Sequence, residues 1–210
     1  MIYLIITTSI NNRFGNIDTT ERRERYLYAI SETLKILPAH ICPIIVENNG
    51  ERATYLDNFV HNGQPVKVLY TTNNSLPFKS KGTNEILDIK EVIQRVGIND
   101  DDIIIKLTGR YRLLGSQFLE GVISNQDVCD AFIKFFGTCS LKYEEYDCIL
   151  GLYALRAKYY KLLNHLTIDN YQSAEIAFAR YVRICGAAIK EIKILDVECC
   201  FGEDKRILIV

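Results

Sequence analysis

The segment from Lys106 to Arg110, which reads KLTGR, carries the side chains best suited to chemistry. It follows the β-branched run Ile103–Ile105. If the strand continues through this segment, alternation points Lys106, Thr108 and Arg110 in one direction. Arginine binds phosphate oxygens bidentately and lysine as a point charge, while Gly109 lets the backbone approach a ligand. The segment therefore predicts a site for a phosphate or diphosphate. A solvated charged surface that pairs with other elements is the plainer alternative.

Strand and helix patterns alternate through the first half of the chain. The predicted strands are Ile2–Thr8, Cys42–Val46, Val66–Tyr70 and Ile103–Leu107. The predicted helices run from Thr20 to Leu37, from Arg52 to Val60, and from the Ser80/Thr83 region to Val96, ended by Gly97. This alternation indicates right-handed βαβ units and a mostly parallel sheet.

The second half is less regular, and we find no linker, repeat or low-complexity tract in the chain. The predicted strands are Ala131–Phe136, Cys148–Ala154 and Ile192–Val197, and the predicted helices are Lys158–Asn164 and Ala174–Ile184. We therefore expect residues 1–210 to form a single α/β domain.

Ligands of open α/β sheets bind beyond the carboxyl ends of the strands. Four polar segments follow the four predicted strands of the first half: Thr7–Arg13, Glu47–Gly50, Thr71–Asn74 and Lys106–Arg112. Because they converge on one edge of the sheet, we expect a donor-rich surface there, suited to an anionic or sugar-like ligand.

Composition excludes several classes of protein. The net charge is −1, so no overall field favours nucleic acid or an anionic membrane. No apolar run reaches the roughly 20 residues of a membrane span, and the apolar N-terminus lacks the features of a signal peptide. The seven cysteines include no C-x-x-C pair, which argues against a zinc ribbon and favours free thiols in the reducing cytoplasm.

Several segments, in their order along the chain, resemble the GT-A fold of nucleotide-sugar glycosyltransferases. The similar segments are YLIITTSINNR with RYLYAISETL, PIIVENNGERATYLDNF, SKGTNEILDIKEVI, CILGLYALRAKYYKLL and YQSAEIAFARYV. The KLTGRY segment is most similar to small glycosyltransferases of large DNA viruses and of bacterial capsule clusters. The resemblance implies a GT-A-like (Rossmann-like), mostly parallel sheet flanked by helices. It also implies a nucleotide-sugar half at residues 1–112 and an acceptor and catalytic half at residues 113–210.

The resemblance also implies site residues, with a UDP- or GDP-sugar as donor and a glycan hydroxyl as acceptor. The donor-binding set is Thr7, Thr8, Asn12, Arg13, Glu47, Asn48, Lys81, Asn84, Lys106, Thr108, Gly109 and Arg110. Glu175 would act as the catalytic base, with Asp147 and Asp169 as the other candidates, although Glu175 also suits a purely structural role at a helix start. Tyr153 and Arg156 would contact the acceptor.

One feature departs from the family pattern. The family ends its fourth strand with D-x-D, which holds a divalent metal, whereas this strand ends in KLTGR. The triplet Asp100–Asp102 precedes the strand, so Asp102 and Thr108 should lie roughly 20 Å apart at opposite edges of the sheet. We therefore expect no metal ligands at the site and no cofactor. Lys106 and Arg110 would replace a metal such as manganese.

Three other functions remain as alternatives. A nucleotidyltransferase shares this kind of sheet but carries a glycine-rich G-x-G…R…K loop after the first strand, which TTSINNR lacks. A Rossmann methyltransferase or dehydrogenase is disfavoured because no G-x-G-x-x-G is present there. A non-catalytic sugar- or nucleotide-binding scaffold protein would bind the donor without turning it over.

Overall fold

A seven-stranded sheet forms the centre of the molecule. The computed structural model describes residues 1–11, 18–50, 54–135, 147–169, 173–201 and 206–210. The strands are β1 (Ile2–Thr8), β2 (Ile41–Glu47), β3 (Val60–His61), β4 (Gln64–Pro65), β5 (Lys67–Tyr70), β6 (Ile103–Thr108), β7 (Arg112–Leu113), β8 (Ala131–Ile133), β9 (Leu152–Arg156), β10 (Ile189–Glu191), β11 (Val197–Cys200) and β12 (Ile207–Ile209). The helices are α1 (Thr19–Ile36), α2 (Lys81–Val96), α3 (Gln117–Asn125), α4 (Ala157–Leu162), α5 (His165–Asp169) and α6 (Ala174–Ile184).

The strand order of the central sheet is β10-β8-β9-β6-β1-β2-β5. Its β1, β2, β5 and β6 run parallel, and β9 runs antiparallel to both β6 and β8. From β1 the chain moves outward to β2 and β5 and then returns to place β6 on the other side of β1. The strand order therefore reverses between β1 and β6, where ligands of open α/β sheets bind.

Strand alternation divides the core into two layers, one on each face of the sheet. Along β6, Ile104 belongs to the layer under α2, α4 and α6, whereas Ile103 and Ile105 belong to the layer under α1 and α3. Lys106 has the same parity as Ile104, so its side chain points toward α2. This orientation determines which groups the Lys106 ammonium contacts.

Local signals account for the ends of the helices that matter most. Asp18 caps α1 by accepting hydrogen bonds from the N–H groups of Thr20 and Glu21. Ser80 caps α2 through Gly82 N–H, and Gly97 ends this helix at a φ of 76°. Such a left-handed residue is most easily glycine, as the sequence predicted.

The α/β class and the mostly parallel sheet in a single domain are confirmed, but several predicted elements are wrong. The predicted helix from Arg52 to Val60 is replaced, in its described part, by a 3₁₀ turn at Thr54–Leu56 and the hairpin β3–β4. The predicted strand Ile192–Val197 is also wrong, because β10 ends at Glu191 and β11 begins at Val197. Helices α3 and α5 were not predicted. Among the described helices, none combines the length and apolarity that crossing a bilayer requires.

Candidate functional site

An open cleft lies at the carboxyl ends of β1 and β6, beside the first turns of α2. The space in it that a water-sized molecule can occupy is about 30 Å³, so the cleft is narrow in this structure. The lining residues are Thr7, Thr8, Ser9, Tyr26, Asn48, Asn74, Lys81, Asn84, Glu85 and Arg110. Six of them belong to the predicted donor-binding set: Thr7, Thr8, Asn48, Lys81, Asn84 and Arg110.

Several polar atoms of the cleft lack a hydrogen-bond partner within the described part of the chain. They are Thr7 Oγ1, Ser9 Oγ, Asn48 Oδ1 and Asn84 Oδ1. Thr7, Asn48 and Asn84 are each at most 4% exposed. Buried polar groups are rarely left without partners, so these atoms can form hydrogen bonds with a polar ligand or with water.

The end of β1 is fixed by contacts with its neighbours. Thr8 Oγ1 donates to Val46 O at 3.0 Å, and Ser9 N donates to the Tyr26 hydroxyl at 3.0 Å. A Cβ on Gly109 would lie 2.8 Å from Thr8 Cγ2 and 3.1 Å from the Tyr26 ring. Gly109 is therefore needed for packing inside the protein. The expectation that it lets the backbone approach a ligand does not match its position.

Lys106 points toward α2, but its charge is already compensated. Its Nζ lies 2.5 Å from Glu85 Oε2 and donates to Thr108 Oγ1 at 2.6 Å and to Leu150 O at 2.8 Å. The ammonium group thus has two hydrogen bonds and one ion pair, and the residue is only 1% exposed. The predicted placement of Lys106 and Thr108 as open ligand-binding groups is therefore wrong, although they do face the same way.

Arg110 is the cation of this segment that reaches the cleft. Its Nε donates to Cys200 O at 3.2 Å, and its own carbonyl accepts from Arg25 Nε at 2.8 Å. The contact with β11 holds the guanidinium, and the contact with α1 holds the backbone, at the end of β6. Arg112 turns away instead and forms an ion pair with Glu198 at 2.7 Å.

The start of α2 forms the opposite wall of the cleft. Asp169 accepts hydrogen bonds from Lys79 N and Ser80 N, which fixes the approach to the helix. A Cβ on Gly82 would lie 2.7 Å from Ala174 Cβ, so the first turns of α2 and α6 pack closely. Lys81 and the positive end of the α2 dipole therefore lie together at the cleft, an arrangement that favours anions.

Glu47, from the predicted donor set, has a structural position. It is fully buried, and its Oε1 accepts hydrogen bonds from Ile10 N at 3.1 Å and from the Asn49 side chain. Its Oε2 accepts from the Tyr55 hydroxyl at 3.3 Å. Glu47 thus connects the segments that follow β1 and β2 through hydrogen bonds, but it is not among the residues that line the cleft.

A buried carboxyl group that the sequence reasoning missed lies behind the cleft. Asp88, on α2, is fully buried and accepts from Asn48 Nδ2 at 3.0 Å, Thr71 Oγ1 at 2.5 Å and Asn73 Nδ2 at 2.8 Å. Burial raises the pKa of Asp88 to about 7, against the opposing effect of these hydrogen bonds. Because Asn48 gives its amide N–H to Asp88, its Oδ1 is directed elsewhere and remains available to a ligand.

None of the predicted catalytic carboxylates lines the cleft. Glu175 is half-buried in the first turn of α6, where its Oε2 accepts from Ser173 Oγ at 3.0 Å. The Gly82–Ala174 contact places this turn beside the start of α2. Asp147 is 2% exposed, three residues before Leu150, whose carbonyl accepts from Lys106.

Neither of the two predicted acceptor residues lines the cleft. Tyr153 is 2% exposed and packs in the core against Phe178, with ring centroids 4.5 Å apart. Arg156 lies opposite Ile103, at the other edge of the sheet, and forms an ion pair with Asp130 at 2.6 Å. The expected placement beside the acceptor is therefore wrong for both residues.

The acidic triplet also lies at that other edge, as expected. Asp102 accepts from the Met1 amine at 2.6 Å, and Asp100 pairs with Lys161. The described residues contain no group of three or more His, Cys, Asp or Glu side chains placed to hold a metal. The predicted residues Asn12 and Arg13 lie outside the described residues.

Sequence reasoning missed four lining residues as well as Asp88: Ser9, Tyr26, Asn74 and Glu85. Ser9 and Asn74 occur in segments that were predicted to converge at this edge, so their positions carried a usable signal. Tyr26 and Glu85 occur on helices, where periodicity predicts a buried or exposed face but not proximity to a ligand.

Comparison of the structure with solved structures finds the same architecture in several transferases. A protein assigned as a nucleotide-diphospho-sugar transferase from Desulfovibrio desulfuricans G20 matches with a TM-score of 0.58 and 9% identity, over 91% of this chain and 79% of that one. The 4-diphosphocytidyl-2C-methyl-D-erythritol synthase of Anaerococcus prevotii DSM 20548 matches with a TM-score of 0.53 and 11% identity, over 91% and 86%. The galactosyltransferase LgtC matches with a TM-score of 0.52 and 10% identity, over 90% and 72%.

At the level of sequence, no family model and no curated protein matches the chain. The likeness therefore concerns the fold, which is the GT-A-like fold that nucleotide-sugar transferases share with a diphosphocytidyl synthase. The cleft at the β1/β6 reversal lies where this fold class binds its ligands.

Proposed function

We propose that this protein is a glycosyltransferase that moves a sugar from a UDP- or GDP-sugar to a hydroxyl of a glycan. The observation that carries the proposal is the cleft itself. It combines buried, unpartnered oxygens with two cations, Lys81 and Arg110, at the β1/β6 reversal.

The lining of the cleft suits the parts of a nucleotide sugar. Asn48 follows β2, and its free Oδ1 can accept an N–H or O–H from the nucleoside. Thr7, at the end of β1, offers a hydroxyl next to it. Arg110 and Lys81, with the start of α2, provide positive charge for a diphosphate.

The chemistry needs little beyond positioning and stabilisation of the leaving group. The bond between the anomeric carbon and the diphosphate oxygen breaks, and the diphosphate departs with the electron pair. Arg110 and Lys81 stabilise the negative charge that grows on it. The acceptor oxygen bonds to the anomeric carbon, and its proton passes to Glu175 if the reaction inverts configuration.

We further propose that the reaction needs no divalent metal. Glu85 is the one carboxylate among the described lining residues, and it already pairs with Lys106. A lone carboxylate is a weak basis for Mg²⁺ or Mn²⁺, which take several oxygen ligands. Charge compensation then falls to Arg110, Lys81 and the helix dipole.

A nucleotidyltransferase is the second candidate, because the diphosphocytidyl synthase has the same fold. The two reactions release different products. A glycosyltransferase releases a nucleoside diphosphate, whereas a nucleotidyltransferase that uses a nucleoside triphosphate releases pyrophosphate. The segment TTSINNR, without the glycine-rich loop that accompanies nucleotidyl transfer, favours the glycosyltransferase.

The test is a product assay on the purified protein. UDP- and GDP-sugars are incubated with a panel of glycan acceptors, in EDTA and in manganese, and released nucleoside diphosphate is measured. Nucleoside triphosphates with sugar phosphates are run in parallel, with pyrophosphate as readout. Release of nucleoside diphosphate in EDTA supports the proposal, and release of pyrophosphate alone supports the second candidate. Binding without either product would indicate a scaffold protein.

A further inference from the structure

Glu85 occupies a position in the cleft that neither phosphate binding nor the transfer step uses. It lies on α2, and its side chain is 25% exposed. Its Oε2 faces Lys106 Nζ at 2.5 Å, and Oε1 accepts no hydrogen bond from any residue that the structure describes. The carboxylate therefore presents one acceptor oxygen to the cleft while the other is held by a buried lysine.

The lysine makes this carboxylate rigid. Lys106 also donates hydrogen bonds to Thr108 Oγ1 and Leu150 O. These bonds hold the ammonium group in place, and its ion pair in turn holds Glu85 Oε2. A carboxylate fixed in this way acts as a preorganised acceptor of hydrogen bonds, which is most effective toward O–H donors.

The strand order places Glu85 on the β6 side of the cleft, together with Arg110. Asn48 follows β2, on one side of β1, whereas Lys106, the partner of Glu85, belongs to β6, on the other side. Although burial opposes the effect, the Glu85 charge is close enough to Arg110 to help raise the pKa of that guanidinium. If a ligand lays its nucleoside against Asn48 and its diphosphate against Arg110, its third part lies on the Glu85 side. In a nucleotide sugar that part is the sugar, whose hydroxyls are O–H donors.

The chemistry of Glu85 argues against contact with the diphosphate, because a carboxylate repels the oxygens of a phosphate. The O–H and N–H donors of the nucleoside lie against Asn48 on the β2 side in this arrangement, which leaves the hydroxyls of the sugar for Glu85. We infer that Glu85 is a specificity-determining residue that binds one or two hydroxyl groups of the transferred sugar through Oε1. This inference rests on the proposed function, because it assumes a nucleotide-sugar donor.

The experiment measures the affinity of each variant for a nucleoside diphosphate and for the matching nucleotide sugar by calorimetry. UDP with UDP-glucose, UDP-galactose and UDP-N-acetylglucosamine, and GDP with GDP-mannose, are the probes. In Glu85→Gln we expect the affinity for the bound nucleotide sugar to fall at least about 10-fold, as for loss of a charge-assisted hydrogen bond. The affinity for the nucleoside diphosphate should stay the same or rise.

Two further variants keep the test decisive. Glu91→Gln makes the same chemical change on α2 at a site where the carboxylate pairs with Arg95, and it should alter neither affinity. Glu85→Gln leaves the Lys106 charge without its partner and could weaken folding. The double variant Glu85→Gln/Lys106→Met removes both charges and should show the same selective loss of sugar affinity.

The outcomes separate the two hypotheses. If Glu85→Gln and the double variant weaken nucleoside diphosphate and nucleotide sugar equally, or weaken neither, Glu85 does not bind the sugar and the inference is wrong, while the proposed function stands. If the wild-type protein binds none of the probes, the proposed function itself fails and takes the inference with it.

Discussion

The side-chain amide of Asn48 donates a hydrogen bond of 3.0 Å to Oδ2 of Asp88. The two residues come from different elements, since Asn48 follows β2 and Asp88 belongs to α2. The same carboxyl group accepts from Thr71 and Asn73, so three segments at this edge of the sheet are joined through one buried side chain. The orientation of Asn48 in the cleft therefore depends on Asp88.

We predict that Asp88 makes folding stability depend on pH. Burial raises its pKa in the folded protein to about 7, above the ordinary value of 3.8. The folded state then binds more protons than the unfolded state between these values, so the stability that Asp88 contributes is greatest below about pH 4 and falls as pH rises to about 7. The loss should be on the order of 4 kcal/mol.

Urea denaturation from pH 4 to pH 8 tests this prediction. Asp88→Asn removes the titrating group. The free energy of unfolding of this variant should therefore lack the fall between about pH 4 and pH 7 that Asp88 causes, whether the variant is more or less stable than wild type. Asp127→Asn changes an exposed aspartate and should leave the wild-type profile intact. Profiles of equal slope for wild type and Asp88→Asn would contradict the prediction.

A second prediction concerns Glu198, which joins β11 to α1 and β7. Its two carboxylate oxygens pair with Arg25 and Arg112, each at 2.7 Å, and its side chain is 13% exposed. Burial raises the pKa of Glu198, but the two arginines outweigh this and lower it overall. Its contribution to stability is thus present near neutral pH and is lost as pH falls through the lowered pKa.

Glu198→Gln should lower the free energy of unfolding at pH 7 by about 1–3 kcal/mol. The difference from wild type should shrink in acid, where the wild-type carboxylate also becomes protonated. Glu91→Gln breaks the exposed Glu91–Arg95 pair on α2 and serves as the control, with an expected change below about 1 kcal/mol. Equal losses in the two variants would show that the Glu198 pairs are no stronger than surface ion pairs.

The sequence predicted the positions of residues at strand ends better than those of residues on helices, because the direction of the parallel strands alone places their ends at one edge of the sheet. Carboxyl ends of parallel strands share one edge of the sheet, so the convergence of Thr7, Asn48 and Arg110 followed from the strand order. Alternation also predicted the common direction of Lys106 and Thr108. It could not predict what lies opposite, because Glu85 belongs to a different helix whose rotation depends on its packing.

Errors in the predicted elements have similar causes. Val60 ends a segment that suited a helix, yet the Asn62-Gly63 turn after it forms a hairpin. Both turn residues have positive φ, 51° and 73°, which matches a two-residue hairpin turn. That local signal was available in the sequence. The burial of Tyr153 and the pairing of Arg156 were not predictable, because each depends on distant segments that pack around β9.

We also predict that Glu175 supports the transfer step rather than donor binding. It lies in the first turn of α6, which packs against the start of α2 beside the cleft. If the enzyme inverts configuration, Glu175→Gln should cut turnover by roughly 100-fold or more while the nucleotide-sugar affinity stays nearly unchanged. Glu191→Gln, at the end of the edge strand β10, is the control. Undiminished turnover in Glu175→Gln would transfer the role to Asp147 or Asp169.

The last prediction distinguishes the two arginines of the KLTGRYR segment. Arg110 lines the cleft, whereas Arg112 is committed to Glu198 on the other side. Loss of a charge-assisted contact to phosphate costs about 1.5–3 kcal/mol. Arg110→Ala should therefore weaken nucleoside diphosphate binding by roughly 10- to 150-fold. Arg110→Lys should restore it only in part, since the bidentate fork is lost.

Arg112→Ala removes the same charge two residues away and should leave nucleotide affinity unchanged while it lowers stability. Calorimetric titration with UDP and GDP at low and moderate salt gives the affinities, and urea denaturation gives the stabilities. Because a cation in contact with phosphate also contributes to the salt dependence of binding, Arg110→Ala should flatten that dependence and Arg112→Ala should not. Equal effects of the two substitutions on affinity would mean that the segment acts through its overall charge, and that Arg110 does not contact the diphosphate.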